Sequence, residues 1–190
     1  MRFVASFIFA LLLTACVSAP ASGPGTYAGD DALVLCSTKV SNAPALDRRG
    51  RVAGYDPIAY VKGQPFLRAP VEGCVSSGFG PRRGGAGSFH EGVDLYTGAP
   101  RPVAAGGDGV VSFVGSQRGY GRTVIIKHRD GVETRYGHLS SFKRGLRSGD
   151  RVRRGQTIGA TGRSGNATAV HLHYEILIGG RPRDPLTVGR

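Results

Sequence analysis

Five histidines, His90, His128, His138, His171 and His173, carry most of the chemistry this sequence can do. In Phe89-His90-Glu91-Gly92-Val93-Asp94 an imidazole and a carboxylate lie four residues apart. Four extended residues span about 13 Å, too far for two ligands that must each come within about 2 Å of one zinc ion. The chain must therefore curl between them, and Gly92 permits the curl. His171-Leu172-His173 is a different device. In a strand, residues i and i+2 share a face, so both imidazoles enter one cleft while Leu172 and Tyr174 turn the other way. One ring can then hold a metal while the other works on a substrate, although the same pattern also suits a polar surface stripe. Glu175 lies on that face too and can orient a ligand or pair with an arginine; the abundance of Arg favours the pair. Taken alone, His138 in Tyr136-Gly137-His138-Leu139 reads as structural, His128 as a turn or strand-end residue outside the site, and Glu91 as solvent-facing. There is no His-Glu-x-x-His and no Gly-x-Ser-x-Gly, and neither Cys36 nor Cys74 has a nearby His, so nucleophilic catalysis has no clear candidate.

The elements that must position these residues are strands. Val110–Val114, Thr123–Lys127, Val132–Tyr136 and His171–Ile176 are strand-like and separated by Gly-rich turns, with Arg129-Asp130-Gly131 a strong hairpin signal. Gly149–Gly159 reads as a further hairpin. No helix with caps is evident after residue 71. Gly supplies 31 of 190 residues and Pro 11, without a Gly-X-Y period, which excludes collagen; 40% hydrophobic residues are enough for a core, which argues against wholesale disorder. The expected fold is mainly β, a compact antiparallel domain over residues 71–190. Before it, 17–30 reads as a flexible tether, Ala32–Cys36 as a strand and Tyr60–Phe66 as a small hairpin, while Arg48-Arg49-Gly50-Arg51 breaks any element.

The first residues address compartment. Met1-Arg2 followed by the apolar run Phe3–Leu13 is an export signal, too short for an ordinary membrane span. Its ending, Leu13-Thr14-Ala15-Cys16, resembles a bacterial lipobox, which implies a signal peptide over 1–15, lipidation of Cys16 and anchoring to a membrane. The absence of Asp after the Cys points, by the same resemblance, to the outer membrane. An exported chain keeps disulfides, so the remaining Cys36 and Cys74 are candidates for one bridge, with two separate buried thiols the alternative. The formal net charge is +12, all but four of the 25 basic residues are Arg, and eleven of them lie between Arg122 and Arg163 against Asp130, Glu133 and Asp150. A polyanionic partner is expected, or else a solvated basic face. Nucleic acid is not favoured, since no RNA-binding aromatic signature, zinc-finger spacing or basic helix occurs.

In order, the chain carries Ser77-Gly78-Phe79-Gly80-Pro81-Arg82, His90-x-x-x-Asp94, Tyr136-x-His138-Leu139, Gly149-Asp150-Arg151-Val152 with Gly155-Gln156-Thr157-Ile158-Gly159, and His171-x-His173-Tyr174-Glu175. This ordered set, covering about residues 74–185, resembles the lysostaphin-like (LytM-domain) zinc endopeptidases of bacterial cell walls. The resemblance implies a LytM, duplicated-hybrid-motif fold and one Zn²⁺ per chain on His90, Asp94 and His173. It also implies His138 and His171 as the catalytic pair and the peptide stems of peptidoglycan as substrate. Asn166-Ala167-Thr168-Ala169-Val170 departs from the Ser/Thr-Gly run common in the family and bears on the shape of the cleft edge. A silent scaffold that binds peptidoglycan or activates an amidase, a zinc carboxypeptidase or amidase suggested by Ser88 to Asp94, and a biotin- or lipoyl-type module are the alternatives. A regulatory protein partner that switches activity on is compatible with the endopeptidase reading.

Overall fold

The protein is described as a computed structural model covering residues 32–82 and 89–190. The export signal, Cys16, the tether and Ser88 lie outside the described residues.

Short alternating segments bounded by glycine make strands here. They are β1 (Ile58–Val61), β2 (Gln64–Leu67), β3 (Cys74–Ser77), β4 (Gly80–Pro81), β5 (Phe89–His90), β6 (Val93–Tyr96), β7 (Pro102–Ala104), β8 (Gly109–Gln117), β9 (Gly121–Lys127), β10 (Val132–Leu139), β11 (Ser141–Phe142), β12 (Arg151–Val152), β13 (Thr157–Ala160), β14 (His171–Ile178) and β15 (Arg181–Arg183). The main sheet runs β12-β8-β9-β10-β14-β6-β3, with β15 also paired to β14. All its strand pairings are antiparallel. A smaller sheet, β11-β13-β7, packs beside it. This is the mainly β, antiparallel architecture read from the strand pattern. The Arg129–Gly131 turn does join β9 to β10, with Asp130 and Gly131 both at positive φ as a tight reversal requires.

Two local expectations need correction. Gly149–Gly159 is not a hairpin: β12 pairs with β8 while β13 pairs with β7 and β11. Arg151–Val152 and Thr157–Ala160 thus complete two different sheets, a choice that local turn chemistry does not reveal. Ala32–Cys36 forms no continuous strand either; Val34 bridges Arg51 and Leu35 bridges Val75 singly.

One core serves all of this. Val75, Val93, Leu95, Val124, Ile126, Tyr136, Leu172, Tyr174 and Ile176 are buried in it, joined by Leu33, Val52, Val61 and Phe66 from before residue 70. The β1–β2 hairpin, at the place where Tyr60–Phe66 suggested one, is fastened by Leu67 N–H to Gly106 O (2.8 Å) and by Tyr174 OH to Leu67 O (3.0 Å). The buried Arg68 donates from Nη1 to the carbonyls of Val188 (2.8 Å) and Pro185 (3.1 Å), so it clasps the end of the chain.

Cys36 and Cys74 are joined by a disulfide at a sequence separation of 38. Beside it, Cys36 N–H donates to Val75 O and Val75 N–H to Val34 O, which lays the N-terminal segment along the edge strand β3. Restricting a loop of this length in the unfolded chain is worth about 3–4 kcal/mol. Paired Cys36→Ser and Cys74→Ser substitutions should lower the urea-unfolding free energy by about that amount. An unchanged unfolding midpoint would show that the bridge does not constrain the fold.

Candidate metal centre and active site

The site is assembled from the pairing of β6 with β14, which places Asp94 directly opposite His173. Opposed residues of an antiparallel pair hold their Cβ atoms about 5 Å apart on one face. On β14 the alternation sends Leu172, Tyr174 and Ile176 into the core, leaving His171, His173 and Glu175 on the other face. His90 arrives from β5, which pairs with β4.

Three of these side chains converge. His90 Nε2 lies 3.1 Å from Asp94 Oδ1 and 3.1 Å from His173 Nδ1, and His173 Nδ1 lies 2.8 Å from Asp94 Oδ1. Two ligands at 2.0–2.1 Å from an ion, separated by a tetrahedral angle, stand about 3.3 Å apart. The three edges therefore approximate one face of a zinc coordination tetrahedron. The donor set, two imidazoles and a carboxylate, suits zinc as well. Among the described residues, His90, Asp94 and His173 form the one group of this kind.

The outer partners determine which nitrogen faces the centre. His90 Nδ1–H donates to Gly78 O (2.7 Å), and His173 Nε2–H donates to Glu175 Oε1 (2.9 Å). The opposite ring nitrogens are thereby the ones turned to the triangle, where they can offer a lone pair to a metal that displaces the proton. Glu175 is fully buried and also takes Arg135 Nη1 (2.7 Å) and Tyr120 OH (2.8 Å). The two roles weighed for Glu175 are thus one: the ion pair anchors the carboxylate that orients His173. Burial alone would raise Asp94, but hydrogen bonds from His173 and His90 hold its carboxyl far below the usual carboxylate range. For His173 burial works downward, yet its bonds to Asp94 and Glu175 raise it to about 9.

His138 and His171 stand beside the triangle with ring centroids 4.7 Å apart. His138 Nδ1–H donates to Ser164 O (2.8 Å) and His171 Nδ1–H to Ala169 O (2.9 Å), so both rings turn Nε2 away from these carbonyls, that of His171 to within 3.8 Å of Asp94 Oδ1. Burial, chiefly, pushes His138 down to about 4, which keeps it neutral at ordinary pH. His138 also occupies the left-handed region (φ 61°) at the irregularity between Tyr136 and Leu139, where its N–H donates to Tyr120 O. That backbone strain turns the ring toward β14. A cavity of about 420 Å³ opens over all five residues, walled by Arg82, Tyr120 and the Asn166–Thr168 segment.

His128 is remote from this cluster. It packs edge-on against Phe66 and bonds Asp108 O and Thr134 Oγ1. Glu91 is exposed, with Tyr120 OH 3.2 Å away. Sequence reasoning missed Tyr120, Ser164 and the carbonyl of Gly78. The first sits in a Gly-rich turn with no motif around it, and a carbonyl leaves no trace in residue type. Gly92 was read for its conformational freedom, but its φ is not positive. What it supplies is close approach: an added Cβ would stand 2.3 Å from Tyr174 O and 2.9 Å from Glu175 Cγ. Gly92→Ala should therefore push His90 and Asp94 away from β14. We expect at least a tenfold loss of zinc affinity with β-sheet circular dichroism retained, and unaltered affinity would refute this role.

Several known proteins resemble the chain. It is 44% identical over 100 residues to the DD-carboxypeptidase/endopeptidase Mpg of Neisseria meningitidis serogroup B, a match covering 53% of this chain and 23% of that protein. It is 39% identical over 139 residues to the peptidoglycan DD-endopeptidase ShyC of Vibrio cholerae, covering 70% and 32% respectively. The chain thus spans a quarter to a third of the length of these curated relatives. A zinc-containing peptidase from Vibrio cholerae shares the fold with a TM-score of 0.61 and 31% identity, over 69% of this chain and 46% of that one. The family description "Peptidase family M23" matches residues 88–185, a stretch that contains all five converging side chains, and the chain belongs to that family.

Proposed function

We propose that this protein is a zinc-dependent endopeptidase that hydrolyses the peptide cross-links of peptidoglycan. The observation that carries the reading is the His90–Asp94–His173 triangle with two further imidazoles at its side. The names of the relatives support the substrate, and the zinc-containing neighbour supports the metal. A silent scaffold would have no need of all five positions.

In this reading His90 Nε2, Asp94 Oδ1 and His173 Nδ1 hold one Zn²⁺. Bound there, zinc supplies Lewis acidity to a peptide carbonyl and to a water. The rest is done by the chain. Of His138 and His171, one presents an unprotonated Nε2 to the cleft, accepts the water's proton and, once protonated, returns it to the leaving amine. The other, carrying a proton on Nε2, donates a hydrogen bond to the oxyanion as charge develops. Ser164 O and Ala169 O take the Nδ1–H of each ring and so turn both Nε2 atoms to the cleft. The proposed organisation is a lipoprotein signal over 1–15, a lipidated Cys16, flexible tether and small N-terminal segment over 16–70, and the peptidase domain over 71–190. With it go an exported, outer-membrane location facing the periplasm and a possible regulatory protein partner.

Two outcomes test the reading. Zinc content and digestion of purified cross-linked peptidoglycan, with and without chelator, should give about one zinc per chain and chelator-sensitive loss of dimers. His90→Ala and His173→Ala should lose metal and activity together. His138→Ala should keep zinc and lose about 10²–10⁴-fold in rate. Release of terminal D-Ala instead of cross-link cleavage would identify a carboxypeptidase. The second outcome concerns pH. Metal-free His173 holds its proton up to about pH 9, so zinc must displace it. Apparent zinc affinity should rise about tenfold per pH unit between 7 and 9 in a competition titration against a chromophoric chelator. A flat profile would mean that Asp94 and Glu175 do not hold a proton on metal-free His173.

A further inference from the structure

A second cavity, of about 620 Å³, shares Arg82, Asp94, Thr168 and His171 with the first and so continues the cleft past the metal triangle. Its far wall comes from the N-terminal segment, outside the stretch matched by the family. Leu35 bridges Val75 and Ser41 bridges Ser77. The segment therefore advances six residues while β3 advances two, and residues 36–40 must arch outward. The arch is held at both feet. The disulfide to Cys74 fixes one. At the other, Gly78 N–H donates to Ser41 O (2.8 Å) and Asn42 Nδ2 donates to Gly80 O (2.9 Å). Val40 packs on the core between them. A wall fixed in this way pays its ordering cost on folding rather than on binding.

The lining states what would fit. The arch offers Ser37, Thr38 and Ser41, faced by Ser76 and Tyr96, hydrogen-bonding groups suited to an extended peptide backbone. Arg82 is the cation of the lining, and its Nη2 stands 3.7 Å from Asp94 Oδ2 with the side chain 44% exposed. That separation exceeds a hydrogen bond, so the guanidinium fork can still receive a carboxylate.

We propose that the Cys36–Cys74 arch and Arg82 form a substrate subsite for an acidic peptide stem, with Arg82 taking a stem carboxylate. The subsite rests on the reading of the cleft as a peptidoglycan endopeptidase and names the chain's own contribution to specificity. It makes the disulfide part of the binding surface.

The test uses the zinc-loaded chain and the uncross-linked tetrapeptide stem, with carboxylates free or amidated, by titration calorimetry. The free stem should bind about tenfold tighter than the amidated one, and Arg82→Gln should erase that difference. Thr38→Trp, which fills the cavity from the arch, should weaken both stems at least fivefold with zinc content and melting temperature retained. Equal binding of the two stems, or wild-type binding by both variants, would overturn the subsite. Stem binding is read apart from hydrolysis. Dimers left intact by a chain that binds stems as expected would defeat the endopeptidase reading alone. Dimers cleaved by a chain whose stem binding ignores both substitutions would defeat the subsite alone.

Discussion

The register of β14 against β6 is the constraint on which everything at the site depends. Because His173 faces Asp94 across an antiparallel pair, two ligands share a face at the spacing the sheet itself dictates. A slip of one residue would turn His173 into the core and bring Leu172 or Tyr174 out. The core opposes such a slip. Leu172, Tyr174 and Ile176 are all buried, and Tyr174 reaches through to bond Leu67. Packing on one face of β14 thus sets the chemistry on the other. The same strand carries the buried Glu175, whose charge is matched by Arg135 from the neighbouring β10. A carboxylate isolated at that depth would cost several kcal/mol; paired, it polarises His173 and fixes its tautomer.

A second constraint is backbone proximity. Gly92 lets β6 approach the carbonyl of Tyr174, while Gly121 and Gly165 meet so closely that a Cβ on either would stand within 2.5 Å of the other's neighbourhood. The second contact presses the 164–170 loop onto the β8–β9 turn. Ser164 then bonds at once to Arg122 N–H, Leu139 O and the ring of His138. The cleft edge formed by Asn166–Thr168 is consequently a packed feature of the fold, with Asn166 N–H donating to Gly119 O.

Legibility in the sequence followed the range of the physics. Strand alternation is local, so β8, β9, β10 and β14 and the turn at Asp130 could be read directly. The i, i+2 rule placed His171 and His173 on one side correctly. Convergence of His90 with His173, 83 residues away, carries no local signal; only the resemblance of the ordered motifs suggested it. Partner choice also escaped local reading, as Gly149–Gly159 demonstrates: its two strands join different sheets. Groups whose role belongs to the backbone, such as Gly78 O and Ser164 O, were invisible because side-chain type does not encode a carbonyl's direction. Gly92 was recognised as necessary for a reason of conformation, whereas the structure gives one of space.

Arg68 has a wider consequence for how the chain behaves as one body. Its guanidinium is buried and takes its partners from the backbone of residues 185 and 188, while its Nε has none. A positive charge buried there without those carbonyls would lose the hydrogen bonds that its guanidinium makes. The guanidinium is therefore a latch between two segments 117 to 120 residues apart in sequence. Freeing either one leaves the same buried charge without its carbonyls, so the stretch after β2 and the stretch after β15 come loose together rather than one at a time.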